Sequence, residues 1–289
     1  MTQSFSAETG GLAKGNPTRR RVLVTGAAGR IGSYFAEHSA SKYELRLMVR
    51  AGDKDVEKIR PLGEVVVGDL GDLDAMKKFC AGIDTVVHLA ADADASAAWK
   101  DLLDANIIGT YHTFVAAKAA GCRRVIYASS IHAVSGYPAD VQVKTSEPVN
   151  PGDIYGVSKC FGEALARYMA EQEGVSAICL RIGAFQPTAA AKKPQGIGML
   201  DAFVSRRDLN QLINKCIDVE NVQFAILHGL SNNRFKRLDI SDARALVGYD
   251  PQDDATELNA KTRDLHLAEE VSAHNLSDGQ KSGIREEVK

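Results

Sequence analysis

Tyr155 and Lys159 stand four residues apart in Tyr-Gly-Val-Ser-Lys. On a helix, that spacing puts both side chains on one face. An ammonium beside a phenol favours the phenolate and lowers the phenol pKa from its usual value of about 10. Such a pair is a general base that can take the proton of an alcohol while hydride leaves the adjoining carbon. The alcohol oxygen also needs a hydroxyl to hold it, and Ser129-Ser130 offers two. A second group of residues is the run Thr25-Gly26-Ala27-Ala28-Gly29-Arg30-Ile31-Gly32, with glycines at i, i+3 and i+6. Between a strand and a helix, Gly26, Gly29 and Gly32 let backbone N–H groups approach a pyrophosphate and aim a helix N-terminus at its charge. Hydride chemistry and a dinucleotide cradle thus occur in one chain.

These groups need a sheet whose strand ends bring them together. From residue 20 the sequence alternates short apolar runs, at 22–25, 45–49, 65–67, 85–89, 125–128, 177–180 and 224–227, with helical stretches at about 30–40, 54–60, 72–81, 99–120, 154–173 and 206–217. The runs are short and rich in β-branched residues, as strands buried on both faces are. Alternation of this kind predicts an α/β fold, a doubly wound parallel sheet of the Rossmann type, with a small C-terminal substrate lobe over the strand ends. The expected organisation is a flexible tail at 1–19, a Rossmann dinucleotide-binding domain at 20–182, a small substrate lobe interleaved with the sheet at 183–250, and a polar C-terminal tail at 251–289.

The cofactor reading extends along the strand ends. Strand 45–49 ends in Arg50, where NAD-specific proteins carry an acid for the ribose hydroxyls. A guanidinium suits a 2′-phosphate, so Arg50, assisted by Arg30, favours NADP over NAD. Asp69-Leu70 closes the third strand and places a carboxylate for the adenine amino group. Leu89-Ala90-Ala91 ends the fourth with small residues that let a ribose pass close to the backbone. Ser129, Tyr155 and Lys159 complete the expected cofactor contacts.

The 289 residues suffice for one large domain, and a net charge of −2 argues against a nucleic-acid binder. No apolar run nears the roughly 20 residues that span a bilayer. The first residues lack the apolar core of a secretory signal, so no membrane association and a cytoplasmic location are expected. Cys80, Cys122, Cys160, Cys179 and Cys216 form no C-x-x-C pair and read as buried thiols. No cluster has metal-ligand spacing, so no metal is expected.

The motifs TGAAGRIG, GDL, HLAA, NIIGT, ASSIH and YGVSK resemble, in order and spacing, the extended short-chain dehydrogenase/reductase superfamily, whose members are NAD-dependent epimerase/dehydratase-like. The resemblance covers about residues 20–250. NIIGTYH, YGVSKCFGE, LRIG and the later Met199-Leu200 look most like the uronate dehydrogenase group, with haloarchaeal glucose-6-phosphate dehydrogenases nearby. The resemblance implies a triad of Ser130, Tyr155 and Lys159, with Asn106 supporting a proton relay through a water near the lysine, or else bending its helix. It also implies that His132 reaches the substrate and that the chain is a homodimer.

Three positions depart from the uronate pattern. Ile131 stands for an asparagine, Ala184 for a serine, and Gly198 for the arginine that holds the uronate carboxylate. Losing that charge weakens recognition of a uronate and leaves the redox chemistry intact. Lys192 and Lys193, in a loop expected to overhang the pocket, can meet a phosphate or carboxylate instead, with Arg206 and Arg207 as alternatives. The function expected is NAD(P)-dependent oxidation of a small sugar-like molecule (a sugar, sugar acid or sugar phosphate) at its anomeric carbon to a lactone. The competing readings are a nucleotide-sugar epimerase or dehydratase, and a non-catalytic NADP-binding regulator.

Overall fold

The computed structural model describes residues 19–259 together with 261 and 262. Nine strands appear among them: β1 (Arg21–Thr25), β2 (Glu44–Val49), β3 (Glu64–Val67), β4 (Thr85–His88), β5 (Arg124–Ser130), β6 (Ser176–Ile182), β7 (Ala184–Gln186), β8 (Phe203–Ser205) and β9 (Phe224–Gly229). The helices are α1 (Arg30–Ser39), α2 (Val56–Ile59), α3 (Leu73–Cys80), α4 (Trp99–Leu102), α5 (Gly109–Ala119), α6 (Ile154–Glu171), α7 (Thr188–Ala191), α8 (Arg206–Asp218), α9 (Ser241–Val247) and α10 (Ala255–Leu258). Seven strands form one parallel sheet in the order β3-β2-β1-β4-β5-β6-β9.

Alternate residues of each strand feed two cores. Val22, Val24, Leu47, Val87 and Ile178 pack with Phe35 of α1 and Leu212 of α8. Leu23, Met48, Val86, Val125 and Cys179 pack with Met76 of α3, Phe114 of α5 and Ala166 of α6. This is the doubly wound α/β sheet expected from the sequence. Its order reverses between β1 and β4, and the crevice outside the carboxyl ends of those strands is where such sheets bind ligands. No helix among the described residues is long and apolar enough to cross a membrane.

Three features differ from the expectation. The stretch at 99–120 is not one helix: a π-helical segment, Leu103–Ile108, separates α4 from α5. The buried Asn106 amide, bonded outside its own helix, holds that distorted turn. A second, two-stranded sheet, β7–β8, was not expected, because three-residue strands carry almost no periodic signal. Most of the expected tails, 1–18 and 263–289, lies outside the described residues. Among the described residues of 251–262, however, the chain is packed: Ala255 joins Ala191, Leu200 and Phe203 in an apolar cluster, and several polar side chains nearby are paired, the buried Thr256 Oγ1 excepted. Asp253 takes two bonds from Arg207 at 2.9 and 2.8 Å, Asn259 Nδ2 donates to the Lys193 carbonyl, and Thr262 Oγ1 donates to the Thr256 carbonyl. Most of the polarity in this described stretch is therefore spent on bonds to the rest of the fold.

Candidate active site

β1 leads into the glycine loop, and the backbone explains two of its glycines. Gly26 has φ +66°, and a Cβ there would lie 2.9 Å from Ala90 Cα, just beyond β4. At Gly32 a Cβ would meet the Gly26 carbonyl oxygen at 2.4 Å. The loop therefore closes against the β4 end and lets α1 start directly beneath it, with N–H groups of its first turn free for an anion. Ala90 N–H donates to Thr25 Oγ1 at 3.2 Å, and Thr25 Oγ1 lies 2.8 Å from His88 Nδ1. Burial, helped by the Lys159 charge, pulls the His88 pKa down to about 3, so this ring is neutral.

Beyond β2 and β3, Arg50, Ala51, Gly52, Asp53, Val67, Gly68 and Asp69 line an open cleft of about 470 Å³. The Arg50 side chain is exposed and makes no ion pair among the described residues; its N–H donates to Asp53 Oδ2. Asp69 accepts the Gly71 N–H on Oδ1, and Leu70 is buried behind it. Arg30 is engaged elsewhere: its guanidinium donates to the Phe185 carbonyl of β7 at 2.6 Å. Assisting Arg50 would require giving up that bond. Ile31 and Leu89 pack against the core and shape the crevice walls. A glycine loop closed tightly against the β4 end, a helix start whose first N–H groups face the crevice and an exposed arginine in a cleft together fit a nicotinamide dinucleotide.

The candidate reacting groups gather at the other side of the crevice. Tyr155 lies in the first turn of α6, 8% exposed, with the Ser130 side chain at the end of β5 close enough to favour its phenolate. Lys159, one turn on, is buried; its Nζ donates to the Ala128 carbonyl at 3.0 Å and lies 5.5 Å from the Tyr155 ring centre. The structure therefore brings Ser130, Tyr155 and Lys159 together. It also decides between the two serines. Neighbouring strand residues point to opposite faces, and Ser129 Oγ donates to Glu163 Oε1 at 2.6 Å, beside the fully buried Glu163–Arg181 pair. Ser129 thus spends its hydroxyl hydrogen on Glu163, on the face opposite Tyr155.

The acidity of the pair runs opposite to the expectation. Burial pushes the Tyr155 phenol up to about 12 against the lowering effect of Ser130, and Asp153 and Asp92 add to the rise. Burial also pulls the Lys159 ammonium down to about 8, with Asp92 opposing. Desolvation penalises both charged forms, and in this enclosed place it is the largest influence on each.

Asn106 is fully committed. Its Oδ1 accepts the Asp92 N–H at 2.8 Å, and its two amide hydrogens go to the Asp92 carbonyl and Ser158 Oγ, each at 3.0 Å. Its side chain ties the π segment to the β4 loop and α6, with no amide hydrogen left for a relay water. Ile131 packs among Val134, Val143, Leu230, Leu238 and Ile240, a wall that offers substrate no polar atom. His132 faces the site: its ring meets Tyr155 edge-on, with centres 5.4 Å apart, and its Nδ1 lies 2.7 Å from Asp153 Oδ2. Lys192 and Lys193 are exposed and form no hydrogen bond with Ser130, His132 or Tyr155 among the described residues. Arg206 sits over the Tyr34 ring, and Arg207 is held by Asp253. Asp92 and Asp153 were missed in the sequence. The signal for Asp153 was an acid two residues ahead of Tyr155, the usual cap position of a helix that begins there.

Fold and site together give a Rossmann-like sheet with a glycine-lined crevice, at whose edge Ser130, Tyr155 and Lys159 converge. The family model described as "NAD dependent epimerase/dehydratase family" matches residues 22–242, and the chain belongs to that family. It is 34% identical over 262 residues to an NAD-dependent glucose-6-phosphate dehydrogenase of Haloferax volcanii, covering 86% of this chain and 98% of that one. A uronate dehydrogenase of Pseudomonas putida is 33% identical over 245 residues, covering 83% and 87%. Among solved structures, uronate dehydrogenase from Agrobacterium tumefaciens superposes with a TM-score of 0.74 at 31% identity, covering 85% of this chain and 89% of that one.

Proposed function

We propose that this chain is an NAD(P)-dependent oxidoreductase that oxidises a sugar, sugar acid or sugar phosphate at its anomeric carbon to a lactone. The observation that carries this reading is the convergence of Ser130, Tyr155 and Lys159 at the crevice built on Gly26 and Ala90. The sugar dehydrogenases to which the chain is similar support the substrate class. A bound nicotinamide dinucleotide supplies the hydride acceptor. Ser130 holds the oxygen of the anomeric hydroxyl, and the Tyr155 oxygen takes its proton as the C–O bond becomes a carbonyl. Lys159, held by the Ala128 carbonyl, keeps its amine beside the Tyr155 ring. A screen of NAD⁺ and NADP⁺ reduction against aldoses, aldose phosphates and uronates tests the reading. Absorbance at the reduced-nicotinamide band should rise with at least one sugar; no reduction across the panel would contradict it.

The base must ionise before oxidation proceeds, so kcat/KM should climb as pH rises toward the Tyr155 pKa. Asp92 raises both the phenol and the Lys159 ammonium. Removing its charge lowers both, so Asp92→Asn should move the whole pH profile to lower pH, with the amide oxygen still able to accept the Asp94 N–H. A profile that stays in place or moves to higher pH would contradict the assignment of Asp92.

NADP is the preferred cofactor in this reading, supported by the unpaired Arg50 in its cleft. Arg50→Ala should weaken NADP⁺ binding by about 10–100-fold, the worth of a charge-assisted contact, and leave NAD⁺ within about twofold. Fluorescence titration with each cofactor checks this; equal losses for both would remove the 2′-phosphate role.

A homodimer in the cytoplasm, where thiols stay reduced, completes the proposal. Its support is the set of exposed apolar side chains Ile108 and Tyr111, at and before the start of α5, and Val157, Phe161 and Tyr168 on the adjoining α6. Light scattering should give twice the chain mass, and Phe161→Asp should shift the population toward single chains.

A further inference from the structure

The geometry points to Asp153 as a positioning residue that fixes which nitrogen of His132 faces the sugar, turning that ring into an acceptor for a second substrate hydroxyl. This inference rests on the dehydrogenase reading above for its substrate class, though not for its structural premise.

Asp153 is two residues before Tyr155, and its side chain is only 2% exposed. Its two oxygens do different jobs. Oδ1 accepts the Gly156 N–H at 2.7 Å and so caps α6, while Oδ2 lies 2.7 Å from His132 Nδ1. An ionised carboxylate has no hydrogen to give, so the hydrogen of that contact sits on Nδ1. In the neutral ring, Nε2 is then left with a lone pair. It has no hydrogen-bond partner among the described residues, and the side chain is 19% exposed. The ring stands edge-on to Tyr155, and the backbone N–H of His132 donates to Ser130 Oγ at 3.2 Å, so the residue is anchored beside both groups proposed to hold the reacting oxygen.

A lone pair in this place accepts O–H from the sugar and offers no hydrogen to a carboxylate or phosphate oxygen. Together with Gly198, which has open space where an arginine side chain would begin, it favours a hydroxyl-bearing, uncharged sugar edge at this wall of the pocket.

Asp153→Asn separates this role from helix capping. Asparagine caps as well as aspartate does, provided its one oxygen stays on the Gly156 N–H. Its NH₂ then faces His132 Nδ1, which must accept, and the ring hydrogen moves to Nε2. Long-range ¹H–¹⁵N correlation spectra of the purified chain, without substrate, should show His132 with hydrogen on Nδ1 in the natural sequence and on Nε2 in D153N.

In NAD⁺ reduction with L-arabinose, glucose 6-phosphate and galacturonate as probes, D153N should raise KM for the sugars turned over by about tenfold or more, while kcat keeps its plateau and its pH profile moves to lower pH, because the Asp153 charge no longer raises the phenol. NAD⁺ affinity and melting temperature should stay unchanged. In a His132→Ala background, D153N should cost nothing further. Hydrogen on Nε2 in the natural sequence would overturn the inference, and so would an equal D153N penalty with and without His132. If none of the three sugars is oxidised, the loss falls on the dehydrogenase reading, and the spectra alone decide the role of Asp153.

Discussion

Tyr155→Phe should lower kcat by about 10²–10⁴-fold, the usual worth of a positioned acid–base group. The ring itself packs with Ala97 and Leu102 and stands against His132, and phenylalanine keeps all of these contacts. What disappears is the hydroxyl beside Ser130, the group proposed above to accept the substrate proton. NAD⁺ or NADP⁺ affinity should stay within a few-fold, because the crevice at Gly26, Gly32 and Ala90 is untouched. Steady-state kinetics beside a cofactor titration separates the two effects. Retained turnover would remove Tyr155 from the chemistry, and joint loss of turnover and cofactor binding would point to a packing role.

Gly198→Arg should raise kcat/KM for a uronate by about 10–100-fold, the range expected for one charge-assisted pair with a carboxylate. The substitution has room, since a Cβ on Gly198 would meet nothing within 4 Å. The uronate dehydrogenase resemblance places an arginine at this position, and the free Lys192 and Lys193 nearby are not held in a competing ion pair among the described residues. An uncharged aldose should gain nothing. An equal change for galacturonate and L-arabinose would mean that the side chain alters the loop and not the charge of the pocket.

Much of this was legible before any coordinates. Strands rich in valine between helical stretches gave the parallel sheet. Glycine spacing after the first strand gave the crevice, because only a backbone without Cβ passes so close to Ala90. What stayed hidden depended on three-dimensional burial and on which partner a side chain chose. Ser129 and Ser130 are adjacent in sequence, but strand phase sends one to Glu163 and the other to Tyr155. The acidity of Tyr155 had the right partner and the wrong sign, since spacing reveals a neighbouring ammonium and says nothing of desolvation. Asn106 kept its place on a bent helix, but its amide is spent on Asp92 and Ser158. The turn at 251–262 read as a tail because its polar residues find their partners far away in sequence, at Arg207 and Lys193.

The most direct test follows the hydrogen itself. Incubate the chain and oxidised cofactor with L-arabinose, glucose 6-phosphate or galacturonate deuterated at C1, then examine cofactor and sugar by mass spectrometry. The account expects deuterium on the reduced nicotinamide and a lactone that has lost it. Deuterium kept by an isomerised or dehydrated sugar, with the cofactor unchanged, would contradict it.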